Sequence, residues 1–469
     1  MKLVLTPSYQ PQRRRLLKGA MALGAAGLVP RLMMSSAHAG PLTGYKALVC
    51  IFLYGGNDAN NMIVPSGASG PNAEATYANY AAVRVAMSSG GLALTQASLN
   101  TLNDTNPVNV FGFHPAMPNL AGLFNSGNLA TLFNVGSLVA PTTKTTYNNN
   151  TVPIPINLFS HADQQREQAA TSLPLSTSVS GWGGRMIDTL GSVGGSAPVG
   201  MSVSGNTLFL NGVLTSPVTL PQTGTLSVAA FDSSAQGVAR STAFAQLNAA
   251  GDDSVFVSSY GGQQTSALNL AGVLNPILAT SNTTINPIFT TTSSLSNQLK
   301  QIAKVIANQS ALGNPTRQIF FASSGSFDTH ANEIATQQTL LADLDTSLSE
   351  FYNATVALGV QDSVTAFTLS DFSRTFQPAT DGGTDHAWGG HHIIVGGSVK
   401  GQTAYGTFPA LSLGGPDDVT SNGRWIPTTS VDQYAATLGT WFGLTSAQLG
   451  TVLPNLANFS TQNLGFLTA

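Results

Sequence analysis

Apolar residues run almost unbroken from Ala47 to Leu53 and stop at Gly55-Gly56-Asn57-Asp58. A short run without alternation predicts a strand over Lys46–Tyr54 that is buried on both faces, with its carboxyl end opening into a loop. Similar runs predict strands at Leu129–Gly136, Gln318–Ala322 and Val364–Leu369, the last ending at Ser370-Asp371. Elsewhere the period is helical. Ile334, Leu341, Leu344, Leu348, Phe351 and Leu358 fall on one stripe, and Gly359 suits its end. Met117–Phe124 reads as a helix closing near Gly127, and Tyr77–Val85 as a short anchored segment. Ser430 can cap a helix carrying Val431, Tyr434, Leu438, Trp441 and Phe442, terminated by Gly443. Ser160–Ala170 reads as a helix start, with Asp163 at capping-box spacing from Ser160. Pro141–Pro155 reads as a loop. From Thr189 to about Thr291 the chain is rich in Gly, Ser and Thr, with short alternating runs at Val203–Leu210 and Gly224–Phe231. This predicts an insertion built of hairpins, a subdomain or lid. There is no repeat of fixed period. Strand, helix and strand in this order predict an α/β fold with a mostly parallel sheet covered by helices.

The first 39 residues do not belong to that pattern. Arg13, Arg14 and Arg15 precede Leu16-Leu17-Lys18, an apolar stretch follows from Ala20 to Val29, and Ala37-His38-Ala39 offers a small-x-small cleavage site. The apolar stretch is too short to span a bilayer, which takes about 20 residues. The segment resembles a bacterial twin-arginine signal. The resemblance implies a partner in the twin-arginine export machinery and a periplasmic or secreted mature chain, residues 40–469. No later run is long enough for a transmembrane span.

Charged residues make up only 8% of the chain. Without the leader, 12 basic residues face 21 acidic ones, a net charge of -9. That excludes nucleic acid as a partner, since phosphate backbones need a positive field. It also speaks against an anionic membrane surface. Cys50 is the single cysteine, so there is no intramolecular disulfide, and its place in an apolar run predicts a buried thiol.

With charge so sparse, the placement of ionisable groups is informative. Asp58 follows the first strand, Asp328 and His330 follow another, and Asp371 ends a third. His161 and Asp163 follow Ser160, and Asp385, His386, His391 and His392 lie in a Gly-rich stretch. Ligands of open α/β sheets bind at the carboxyl ends of strands, so Asp58, Asp328 and Asp371 are expected to converge there. Crowded carboxylates repel unless a cation neutralises them. A divalent ion is therefore expected, with imidazole favouring Zn or Mn and an all-oxygen shell Mg or Ca. Each residue also has a plainer reading. Asp58 can shape a turn, Asp328, Asp371 and Ser160 can cap helices, and His386 can be a buried hydrogen-bonding residue. His114 reads as a loop packing residue.

Seven stretches resemble the DUF1501 family of exported bacterial proteins. They are Phe52–Asp58, Phe113–Met117, Ser160–Asp163, Gly183–Met186, Phe327–His330, Ser370–Thr375 and Gly383–His386. That family in turn looks like a distant branch of the alkaline phosphatase and sulfatase superfamily. The resemblance implies an α/β/α sandwich, with Asp58, Asp328, His330, Asp371 and His386 around a metal and Ser160 as nucleophile at a helix start. Phe372 stands where the phosphatases place a histidine, which departs from a full two-metal site. No cysteine stands at the nucleophile position, which speaks against a modified-cysteine sulfatase. Arg166, Arg185 and Arg374 are candidates to bind an oxyanion, or to pair with an acid structurally. The function implied is hydrolysis of phosphate or sulfate esters. A non-catalytic protein of the same fold, binding a glycan, a polymer or an envelope partner, is the alternative, and a purely structural ion such as Ca²⁺ is a third.

Overall fold

The computed structural model describes residues 44–85, 90–171, 179–191, 193–195, 198–227, 231, 233–249 and 255–468. The leader-like segment lies outside the described residues. The strands are β1 (Lys46–Leu53), β2 (Ile63–Pro65), β3 (Asn100–Asn103), β4 (Val110–Phe113), β5 (Leu129–Gly136), β6 (Gly200–Ser202), β7 (Val218–Thr219), β8 (Arg317–Ser324), β9 (Val364–Ser370), β10 (Gly390–Val395), β11 (Thr403–Tyr405) and β12 (Thr429–Ser430). The helices are α1 (Ala59–Met62), α2 (Tyr77–Arg84), α3 (Pro118–Asn125), α4 (Lys144–Asn148), α5 (His161–Ala170), α6 (Trp182–Leu190), α7 (Ala235–Ala249), α8 (Val255–Ala279), α9 (Ser294–Ala307), α10 (Glu333–Ala357), α11 (Val431–Phe442) and α12 (Ser446–Val452).

The main sheet runs β11-β5-β10-β9-β1-β8-β6-β7, with β12 beside β5. Every pairing is parallel except those of β10, which is antiparallel to both β5 and β9. β2, β3 and β4 form a separate antiparallel sheet. The central strand β1 is buried along seven of its eight residues, as its unbroken apolar run predicts. Val49, Ile51 and Leu53 face a core shared with α3, α9 and α10. Leu48, Cys50 and Phe52 face a second core shared with α6, α11 and α12. Helices therefore cover both faces of a mostly parallel sheet. Each buried aliphatic side chain contributes on the order of 1.5–3 kcal/mol, so no staple is required. Cys50 is fully buried, and burial raises its thiol pKa.

Several expected boundaries agree closely with the structure. β5 spans the expected eight residues, and Gly359 and Gly443 close α10 and α11 with positive φ. Two expectations are corrected. The Pro141–Pro155 loop contains the short helix α4, capped by Thr143. The Gly/Ser/Thr-rich stretch is not built of hairpins: β6 and β7 join the main sheet in parallel, and helices α7 and α8 follow. Among the described residues, neither Val203–Leu210 nor Gly224–Phe231 forms a strand. No helix among the described residues is long and apolar enough to cross a membrane.

Candidate metal centre

The parallel strands deliver Asp328 and His330 after β8 and Asp371 after β9 to one edge of the sheet. Because β10 runs the other way, its amino end lies at that same edge, next to the end of β5 (Gly390 pairs with Val135), and brings His386 there. His161 opens α5, beyond β5. Glycines let these loops approach. Gly55 has a φ of 110°, and a Cβ there would lie 2.4 Å from the Asp328 backbone nitrogen. A Cβ on Gly383 would lie 2.1 Å from the His330 carbonyl carbon. Only glycine fits such contacts.

Three imidazoles and a carboxylate meet in front of these loops. His386 Nε2 stands 3.1 Å from His161 Nε2 and 3.0 Å from His330 Nε2. Asp328 Oδ1 is 2.9 Å from His330 Nε2 and 3.2 Å from His386 Nε2, and its Oδ2 is 3.4 Å from His161 Nε2. The outer partners assign the tautomers. His161 Nδ1 lies 2.7 Å from Asp371 Oδ2, and His386 Nδ1 lies 2.7 Å from the Phe159 carbonyl. Both oxygens of Asp371 also accept N–H bonds, from Gly55 and Gln165. In the neutral rings both Nδ1 atoms therefore carry the proton, and both Nε2 atoms present lone pairs. Two lone pairs 3.1 Å apart repel each other unless a cation lies between them.

This donor set fits a divalent ion. Ligands on a tetrahedral Zn²⁺ lie about 3.3 Å apart, and the donor separations within His161, Asp328 and His386 run from 3.1 to 3.4 Å. Three imidazoles and one carboxylate suit Zn²⁺ or Mn²⁺ better than Mg²⁺ or Ca²⁺. Two overlapping triads can hold an ion, His161–Asp328–His386 and His330–Asp385–His386. Both draw on the single lone pair of His386, so the centre accommodates one ion rather than two. The side chains of His330 and Asp328 are 51% and 44% exposed, so the centre opens to solvent on one side. Phe372 packs its ring 4.8 Å from both His161 and His386, which makes it a shelf for two candidate ligands.

The electrostatics support ionised Asp328 and neutral His386. Burial opposes ionisation of Asp328, but the hydrogen bond and charge of Arg374, with His330 and His161, outweigh it and hold the carboxyl below its usual range. Burial, reinforced by Arg374 and His161, lowers His386. Burial raises Asp371, and the N–H bonds from Gln165, His161 and Gly55 work against that rise.

The remaining expected site residues are placed as follows. Asp58 does not join the cluster. It is buried, caps α1 through the Asn60 N–H, and pairs with the buried Arg84, which also reaches Glu333 at 3.2 Å. Asp371 stands behind His161, away from Asp328's ligand face, as an orienting carboxylate. Ser160 sits at the cap position of α5, but its hydroxyl makes no capping bond, and Asp163 accepts from Asn157 instead of completing a capping box. Arg374 is fully buried, with its guanidinium on Asp328, Thr384 and Gly55. Arg185 is tied to the carbonyls of Ala170, Ser180 and Val452, remote from an oxyanion role. Arg166 lies on the outer side of α5, beside a cavity of about 220 Å³ floored by Phe52 and Phe209. His391 and His392 are buried in β10, bonded to the Asn134 N–H and to Thr368, and burial pushes both down to about 3. His114 is a packing residue that accepts from the Ala116 N–H.

Four contributors were not apparent from the sequence: Gln165, which bonds Asp371; Glu333 and Arg84 behind the loops; and Arg424, which pairs with Asp385 at 2.8 Å. Arg84 and Arg424 lie in no motif, and only the scarcity of arginines in the chain after residue 39 sets them apart in the sequence.

Fold and cluster together define an α/β protein with a histidine–aspartate centre able to hold a divalent metal ion. The family profile described as protein of unknown function (DUF1501) matches residues 45–453. The chain belongs to the DUF1501 family. No curated protein matches it.

Proposed function

We propose that the chain is an exported, metal-dependent hydrolase of phosphate or sulfate esters. The observation that carries this reading is the convergence of His161, His386 and Asp328 on one solvent-facing point, with the imidazole lone pairs fixed inward by Asp371 and the Phe159 carbonyl. His386 would hold the ion together with His161 and Asp328, or with His330 and Asp385. Bound there, it would supply Lewis-acid charge to an ester oxygen and lower the pKa of a hydroxyl or water. Asp371 orients His161, as carboxylates behind ligating imidazoles do. Ser160 lies between Phe159, whose carbonyl holds His386, and His161 itself. Its hydroxyl is not engaged in capping, which suits a nucleophile, and the amino end of α5 adds partial positive charge beside it. The leader-like first 39 residues and the resemblance to the phosphatase and sulfatase superfamily support export and the substrate class.

The test begins with metal analysis of the purified mature chain, followed by assays on aryl phosphate and aryl sulfate esters. One ion per chain and turnover abolished by His386→Ala are expected. A chain that stays metal-free after reconstitution with Zn²⁺ and Mn²⁺, or turnover indifferent to His386→Ala, refutes the proposal.

A further inference from the structure

An anionic ester at this centre needs a cationic partner besides the ion, and the arginines expected for that task are enclosed. Arg374 and Arg185 have their N–H groups on protein oxygens. Arg424 is placed differently. Its Nε donates to the His386 carbonyl at 2.7 Å and its Nη2 to Asp385 at 2.8 Å. Its guanidinium lies 4.4 Å over the Phe159 ring, one residue before Ser160. The loop that carries it is rigid: Asp418, fully buried, accepts the backbone N–H groups of Gly423 and Arg424 at 2.9 and 3.0 Å. Among the described residues its Nη1 makes no hydrogen bond, and the side chain is 18% exposed. Arg424 therefore presents a guanidinium held between the His386 carbonyl, the Asp385 carboxylate and the Phe159 ring, with Nη1 left over for a further acceptor.

We infer that Arg424 is the residue that recognises the anionic group of the substrate, a phosphoryl or sulfuryl group lodged between it and the metal centre. This rests on the proposed hydrolase reading and adds to it the residue that selects an anion. Stacking on Phe159 and the two anchoring bonds pre-organise the planar fork, which lowers the ordering cost of binding. Asp385 has the opposite effect. Its carboxylate, 54% exposed, shares the guanidinium and repels an incoming anion, so it tempers affinity and favours release of a charged product.

The experiment uses the mature chain loaded with Zn²⁺ or Mn²⁺ and titrates it calorimetrically with inorganic phosphate and, separately, with sulfate. Arg424→Ala is expected to weaken binding of the preferred anion by about tenfold or more, the loss typical of a charge-assisted hydrogen bond. Arg424→Lys should recover only part of it. Because Arg424 also anchors His386 and Asp385, metal content is measured for each variant and anion affinities are compared at equal loading. Compared at equal metal content, because Asp385 also belongs to one of the two triads, Asp385→Asn should tighten anion binding, the reverse effect, which separates recognition by Arg424 from a mere loss of its ion pair. Equal affinities in wild type and Arg424→Ala, weakening by Asp385→Asn, or a loaded wild type that binds neither anion would each overturn the inference. Binding of phosphate through Arg424 without ester turnover would instead remove the hydrolase reading and leave the inference standing. Turnover whose inhibition by phosphate ignores Arg424→Ala would do the opposite.

Discussion

Asp58 tests the distinction between a metal ligand and a buried structural charge. Its side chain and that of Arg84 are both fully buried and in contact. Burial alone would raise the Asp58 carboxyl, but Arg84, with hydrogen bonds from Glu333 and Asn60, more than offsets this and holds it below the usual range. Burial and the neighbouring Asp58 charge push Glu333 the other way, well above its ordinary value. The trio is thus one guanidinium shared by two buried carboxyls, of which Asp58 is the one favoured to ionise. Arg84→Met strands the Asp58 charge, and breaking a buried pair in this way costs about 3–5 kcal/mol. That is a large part of the roughly 5–15 kcal/mol of a typical fold. Adding Asp58→Asn to Arg84→Met removes the stranded charge and should restore about half of the loss or more. Urea unfolding at pH 7 measures these differences, and metal titration of Asp58→Asn runs beside it. Asp58 has a depressed pKa, so its contribution is present above the unfolded value near 4 and disappears as pH falls below it. The penalty of Arg84→Met should therefore shrink toward acid pH. An Arg84→Met cost below about 1 kcal/mol, the range of exposed pairs, contradicts the reasoning. So does a folded Asp58→Asn protein that has lost its ion.

Asp371→Asn should weaken metal binding by about 10–100-fold through the orientation of His161, as read by competition with a chromophoric chelator. Chelation of the ion should lower the thermal midpoint in proportion to the logarithm of metal concentration over Kd, and scanning calorimetry with and without EDTA checks it. Gly55→Ala should cost more than about 2 kcal/mol and displace the Asp328 loop, because the new Cβ meets the Asp328 nitrogen at 2.4 Å; a protein of unchanged stability and metal affinity would contradict the close-approach argument. Burial raises Asp432 to about 7. With a folded pKa above the unfolded one, its stabilising contribution is complete below about pH 4 and is lost as pH rises through 7. Asp432→Asn should flatten that slope and exceed wild-type stability at pH 8, by an amount on the order of a few kcal/mol, measured as a pH series of urea midpoints.

The strands of the sheet centre were readable because burial on both faces imposes an unbroken apolar run, as in Ala47 to Leu53, and their helices because Gly359 and Gly443 close regular stripes. The stretch after Thr189 was not readable. β6 and β7 have three and two residues, too short for any period. α8 contains Gly261, Gly262, Gly272 and Pro276, whose intrinsic preferences oppose a helix. At the centre, Asp328, His330, His161 and His386 were legible as polar residues at strand ends and a helix start. Asp58 has the same local signature, but its partner Arg84 lies 26 residues further on, in a helix that carries no motif. A carboxylate's neighbourhood in sequence does not reveal which cation neutralises it, and so ligand and ion pair look alike.

β10 is the one strand of the main sheet that runs against its neighbours, and it is also the last to supply a ligand. The donors at 161, 328–330 and 386 meet where that reversed strand lies between β5 and β9. No fragment ending before residue 386 carries a complete triad, because both triads need His386. A truncation that removes this strand and the loop before it should therefore abolish ion binding at the centre even where β1, β8 and β9 still pair.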